Sequence, residues 1–275
     1  MIFNSFTFGI FLLIVFSIYW MLQGRLRVQN AFLLVSGCVF YGWWDWRFLG
    51  LLAVSTLTDF VVGRKVFDAS EKATKKRWVA LGMTVNLAIL GFFKYFNFFV
   101  DSAGMLLQGL GLEANLPALR IILPIGLSFY TFQSMSYTLD VYRGRFEPTR
   151  DLIGFLAFVS FFPQMVAGPI ERAGHMLPQF LNPRRFDSAL ARDGLRQILW
   201  GLFKKVVVAD NLAGPVETVF SQPEVMTSGT LWLGAFFFAM QIYCDFSGYS
   251  DMALGLGRLF GFELMRNFRT PYFAL

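Results

Sequence analysis

Charge is scarce in this chain. Asp, Glu, Lys and Arg make up 15% of its 275 residues, against about 25% in an ordinary soluble domain. That shortage excludes a water-soluble globule with a charged surface. Histidine occurs once, at His175, so a His-rich metal site within the chain is excluded. The two cysteines, Cys38 and Cys244, both lie in apolar segments. They read as small buried side chains, with neither a disulfide framework nor metal-ligand spacing. No Lys or Arg precedes Arg25. The basic region of a cleaved signal peptide is missing, and the first apolar run reads as a retained helix. No internal repeat or low-complexity tract is evident.

What the chain has instead is apolar length. Hydrophobic residues make up 56%, aromatics 18%, and the mean hydropathy is +0.53. This is the composition of an all-α, polytopic integral membrane helical bundle, read here as one domain over 1–275. The net charge of +6 does not point to nucleic acid, because the basic residues gather in loops between apolar runs. That pattern reports topology and contact with anionic membrane lipids.

Five spans are expected: 6–22, 31–44, 48–62, 79–100 and 121–141. Asp59 falls near the end of the third, where water is within reach, and Lys94 interrupts the fourth. The aromatic cluster 41–46 (YGWWDW) marks a membrane interface; a cofactor cage is the alternative. With the N-terminus outside, the loops at 23–30, 63–78 and 142–151 are cytoplasmic and hold two, six and three Lys/Arg. The loops at 45–47 and 101–120 are then external and hold one each. Every loop obeys the positive-inside rule.

The stretch 152–166 is short and lies between two basic flanks. It is expected to be a re-entrant or half-membrane element, shielded by protein. Pro163, Pro169, Pro178 and Pro183 rule out one continuous helix beyond it. Leu195, Ile198, Leu199, Leu202, Phe203 and Val206 form an apolar stripe opposite Gln197, Gly201, Lys204 and Lys205. Two readings fit: an amphipathic helix at the cytoplasmic interface, or a partly buried helix between spans. Gly214-Pro215 and 221–229 look like loop. Gly257 and Gly261 have the spacing of close helix contact.

The most unusual stretch lies within the apolar run 230–262, which would be about 50 Å long as one helix. Asp245, Tyr249 and Gln241 share one face, and Tyr243, Ser247, Ser250 and Asp251 roughly the opposite one. A helix polar on both sides cannot face lipid, where a mid-depth charge costs about 2.5–3.5 kcal/mol or more. A break near Ser247-Gly248 is therefore expected. The polar groups line a site, or else they are hydrogen-bond glue between helices.

Four ordered motifs carry a resemblance. They are 122–143 (ILPIGLSFYTFQSMSYTLDVYR), 161–172 (FFPQMVAGPIER), 243–258 (YCDFSGYSDMALGLGR) and 267–272 (NFRTPY). Together they resemble the N-terminal part of a membrane-bound O-acyltransferase (MBOAT), in the bacterial branch that acetylates alginate and related exopolysaccharides. The resemblance runs from Met1 to the end. It implies helices around a central funnel or tunnel in the bacterial cytoplasmic (inner) membrane. It also implies a cytoplasmic acyl donor, a thioester or similar, as co-substrate rather than a bound cofactor. The acceptor would be a hydroxyl of an exported polysaccharide, with periplasmic acetylation proteins as partners.

In that family the catalytic histidine follows the 267–272 motif. A chain ending at Leu275 is thus expected to be truncated and inactive alone, with its catalytic residue unknown. His175 sits where the motifs require none and reads as a loop residue at the cytoplasmic edge; a substitute base is the alternative. Asp245, Ser247, Tyr249 and Asp251 are expected to line the tunnel or orient the missing base. Gln133, Ser134 and Tyr137 are further candidates. Glu171 and Arg172 would clamp each other or meet the donor at the cytoplasmic mouth. The competing reading is a polysaccharide or lipid translocase without acyl chemistry, for which a broken helix with buried carboxylates also suffices.

Overall fold

A computed structural model describes residues 1–111, 120–165, 168–169 and 171–267. Among them every regular element is helical. The first four are α1 (Phe6–Met21), α2 (Leu26–Asp45), α3 (Leu49–Asp68) and α4 (Lys72–Gly109). Ser5 starts α1 by accepting the Phe8 N–H at 3.1 Å. By length and composition, Leu26–Asp68 and Lys72–Gly109 are each apolar enough to cross a membrane.

Two expectations fail at the α3–α4 connection. The charged stretch 64–78 is mostly helix, with only residues 69–71 outside α3 and α4. Lys, Arg and Ala are good helix formers, so the helices continue through the charged stretch. Asp59 consequently lies two and a half turns inside α3, fully buried rather than near water. Its Oδ2 accepts the Asn86 amide at 2.8 Å and its Oδ1 accepts the Thr138 hydroxyl at 2.8 Å. Ser55 donates to Asn86 Oδ1 at 2.5 Å. This network joins α3 and α4 to α5 (Leu127–Tyr142).

Helix α5 also starts later than expected. Pro124 lacks an N–H, and Gly126 adopts φ +76° at the N-cap. The extended approach is tied to α4 by Asn97, whose side chain exchanges two hydrogen bonds with the Ile121 backbone, 2.8 and 3.0 Å long. The short stretch that follows is interrupted and, as expected, shielded by protein. Helix α6 (Leu152–Val159), capped by Asp151, stops at Ser160, and α7 (Phe162–Met165) follows. Phe155, Phe158, Phe161 and Phe162 are fully buried, so protein surrounds the break. Helix α8 (Ala173–Leu181) then tolerates Pro178 within it.

The last part is a long helical hairpin. α9 (Ser188–Leu202), a π-helical segment (Phe203–Ala209) and α10 (Asp210–Ser221) run on without interruption. They turn at 222–227 and pack along α11 (Ser228–Leu259). Gly214 and Pro215 are therefore helical, not loop. The expected break at Ser247-Gly248 is absent, since α11 is continuous. The irregularity sits instead in its partner, at the π segment.

The apolar stripe of this region divides, with Ile198 and Leu202 packed inward and the rest turned away from α11. Leu195, Leu199, Phe203 and Val206 are exposed, whereas Gly194 and Gly201 are buried against α11. Lipid tails are as apolar as leucine, so apolar residues gain nothing by turning inward; close backbone contact decides which face packs. A Cβ on Gly201 would lie 2.5 Å from the Gly248 carbonyl oxygen. One on Gly255 would lie 2.4 Å from the Gly194 carbonyl oxygen. These two glycine pairs form the seam. Gly257 and Gly261 do not serve it. Gly257 faces Leu264, and Gly261, at φ +76°, ends the helix.

Candidate functional site at the α9–α11 seam

The charged residues of α11 flank this seam. At 100° per residue, Asp245 and Asp251 lie about 60° to either side of Gly248. On the facing strand of the hairpin, Lys204 and Lys205 flank Gly201. A π turn holds more residues than an α turn, so these neighbouring lysines splay less and both reach α11. Lys204 forms an ion pair with Asp251 and donates to Ser247 Oγ at 3.0 Å. Lys205 Nζ lies 2.6 Å from Asp245 Oδ1 and 2.9 Å from Asp210 Oδ1. It also sits 5.6 Å from the Tyr249 ring centroid. Gln197 Nε2 donates to Asp251 Oδ1 at 3.1 Å.

Beside this ladder opens a cleft of about 1160 Å³. One wall is α9, through Asp193, Arg196, Gln197 and Trp200. The other is the extended segment 261–266 that follows α11. Asp251, Arg258 and His175 also line it. Three guanidinium groups, those of Arg196, Arg258 and Arg266, border the cleft, with Arg258 held by Asp193 at 2.6 Å. Asp193, Asp251 and Glu263 line it too, so the cleft is polar and mixed in charge, and large enough for a ligand with an extended chain.

The expected site residues divide. Asp245, Ser247, Tyr249 and Asp251 do come together, through the lysines. Gln133, Ser134 and Tyr137 stand apart, on α5 in the α3–α5 contact. There Tyr137 fills the space over Gly63, where a Cβ would approach its ring within 2.4 Å. Glu171 and Arg172 do not clamp each other. Glu171 is buried and faces His175 Nδ1 at 3.1 Å, while Arg172 is exposed. Burial pushes the Glu171 carboxyl above its ordinary range; the Met265 N–H and the imidazole oppose that shift. His175 belongs to α8 rather than to a loop. Of the 267–272 motif, 268–272 lie outside the described residues.

Comparison with known proteins bears on the same region. Residues 149–274, which include α9, the π segment and α11, match the profile of MBOAT, the membrane-bound O-acyltransferase family. Over all 275 residues the sequence is 43% identical to the probable alginate O-acetylase AlgI of Pseudomonas putida, covering 56% of that protein. It is 42% identical over 275 residues to the corresponding protein of Pseudomonas aeruginosa, covering 52%. The chain belongs to the membrane-bound O-acyltransferase family. The peptidoglycan O-acetyltransferase of Helicobacter pylori is 32% identical across 96% of the chain and 55% of its own length. The chain thus spans about half the length of the curated relatives it matches.

Within this chain, sequence reasoning missed Lys204, Lys205 and Gln197 as partners of the α11 carboxylates. A signal was present. Gly194 and Gly201 are seven residues apart, as are Gly248 and Gly255. Two such helices joined by a short turn predict an antiparallel seam, with the flanking Lys and Asp face to face. Among the described residues no cluster of His, Cys, Asp and Glu could hold a metal ion.

Proposed function

We propose that the full-length protein transfers an acyl group, most simply acetyl, to a hydroxyl of an exported polysaccharide such as alginate. The observation that carries this reading is the 43% identity over the whole chain to a probable alginate O-acetylase. The cleft beside the ion-paired seam receives the donor, a thioester or similar acyl carrier, as co-substrate. Arg196 and Arg266 on its border would meet an anionic handle on that donor. In the reaction the hydroxyl loses its proton to a base as its oxygen attacks the acyl carbon, and the bond from acyl carbon to carrier breaks. No base is assigned to this chain, since the resemblance puts the family's histidine after the 267–272 motif. The seam's part is to hold the cleft wall rigid, where water would otherwise compete for the acyl group.

In this reading 1–275 is one membrane-embedded unit in a bacterial inner membrane, with the N-terminus outside. The α9 start, α8 and the α11 end then lie on the cytoplasmic side with the basic loops. The partners are lipids, the acyl donor, the polysaccharide and periplasmic acetylation proteins. Deleting the gene should remove O-acetyl signals from the exported polymer, and unchanged acetylation would refute the proposal. In the full-length protein, Asp251→Asn or Asp245→Asn should lower radiolabelled acetyl transfer in membranes while protein level holds. Normal transfer in both would leave the seam purely structural.

A further inference from the structure

The segment after α11 is held in a way that neither its own sequence nor the seam requires. Gly261 ends the helix, and residues 262–266 run extended along α8. Phe262 and Leu264 point inward and are buried, with the Phe262 ring 4.4 Å from that of Phe180 and 4.7 Å from that of Phe161. The outward backbone is fastened by two side chains. Gln179 Nε2 donates to the Glu263 carbonyl at 3.0 Å, while Gln179 Oε1 accepts the Glu263 N–H at 2.8 Å. One amide thus mimics a β-bridge. Glu171 Oε1 accepts the Met265 N–H, and its other oxygen faces His175. Glu171 is buried to 1% exposure, a costly place for a carboxylate unless its acceptors are used. All six residues 261–266 line the cleft.

We infer that Glu171 and Gln179 are positioning residues: they pin 262–266 to α8 as a strap and so fix one wall of the donor cleft. The inference rests on the acyl-transfer reading above. Neither side chain touches the reacting atoms. They act through the strap, which presents Arg266 to the donor and leads into the motif that begins at Asn267. The fastening asks for an acceptor at 171 and for both a donor and an acceptor at 179, not for charge. Glu171→Gln therefore keeps the Met265 contact, whereas Glu171→Leu and Gln179→Leu remove theirs.

Two readouts on the full-length protein in membranes test this. The first is trypsin cleavage after Arg266, which needs the strap to lift. It should speed up about tenfold in Glu171→Leu and Gln179→Leu and stay near the wild-type rate in Glu171→Gln. The second is acetyl transfer. The Leu variants should raise the donor KM about tenfold with kcat within about threefold, and Glu171→Gln should restore the wild-type KM. A strap that stays protease-resistant in the Leu variants overturns the fastening. Faster cleavage with an unchanged KM overturns the positioning role. Equal loss of kcat and protein level in all three variants, Glu171→Gln included, also overturns it. If the wild-type protein transfers no acetyl group while the cleavage pattern appears, the acyl-transfer reading falls and the positioning role falls with it.

Discussion

The Lys204–Asp251 pair offers the sharpest test of how the hairpin holds together. Both side chains are largely buried, at 12% and 13% exposure. Replacing Lys204 with Met removes the ammonium and leaves Asp251 without its counter-charge at the cleft wall. Of its contacts only the Gln197 amide, at 3.1 Å, would remain. Breaking a buried pair from one side costs about 3–5 kcal/mol, because the other charge stays uncompensated. The retained Gln197 bond places Lys204→Met near the lower end, about 3 kcal/mol. Asp251→Leu should cost about as much, since it strands Lys204 with only the Ser247 hydroxyl. The double variant leaves no orphaned charge and should sit within about 1 kcal/mol of wild type. The coupling would then be several kcal/mol and weakly screened by salt. Unfolding of the full-length protein in mixed micelles, followed by tryptophan fluorescence, measures it. If the single effects simply add, with coupling under about 0.5 kcal/mol, the pair is not what joins α9 to α11.

Gly201→Val should force the helices apart, since a Cβ there meets the Gly248 carbonyl. A cost of about 3 kcal/mol is expected by overpacking, read as a lower melting temperature. Gly214→Ala, with nothing within 4 Å of its Cβ, is the control and should leave melting unchanged. Asp59→Leu should destabilise by about 1–3 kcal/mol for the Thr138 hydroxyl it orphans, and by less for the Asn86 amide, which keeps the Gly82 carbonyl. Asp59→Asn should recover part of the loss in the same melting assay, and equal effects would argue against the network. Glu171 gives a pH dependence. Its folded-state carboxyl titrates higher than the unfolded one, so the native state holds its proton longer and loses stability as pH rises between the two values. Glu171→Gln should therefore melt higher than wild type at pH 8, and the gain should vanish near pH 4. A gain that grows towards acid would contradict the burial argument.

Much of the architecture was legible in residue order. Long apolar runs can only be helices in lipid, where every backbone group needs an internal partner. The prolines beyond Phe162 foretold that no single helix fills that stretch, and α7 and α8 are separate. Element ends were legible less well. Charged helix formers carried α3 to Asp68 and α4 back to Lys72, and that extension moved Asp59 from the expected water edge into the core. The site was half legible. Asp245 and Asp251 were recognisable as too polar for lipid, yet the expected remedy was a broken helix. The structure keeps α11 whole and brings lysines to it.

The sequence by itself determined the apolar segments, their helicity and the family, because these depend on local composition and on motif order along one chain. Which charges meet was decided only by tertiary structure. Lys204 and Asp251 are 47 residues apart, and nothing local relates them. Their meeting depends on the register of two antiparallel helices, fixed where Gly194 and Gly201 let the backbone touch Gly255 and Gly248. It depends equally on the π segment, which turns two neighbouring lysines towards one partner. Packing contact sets that register, and the charges then follow it.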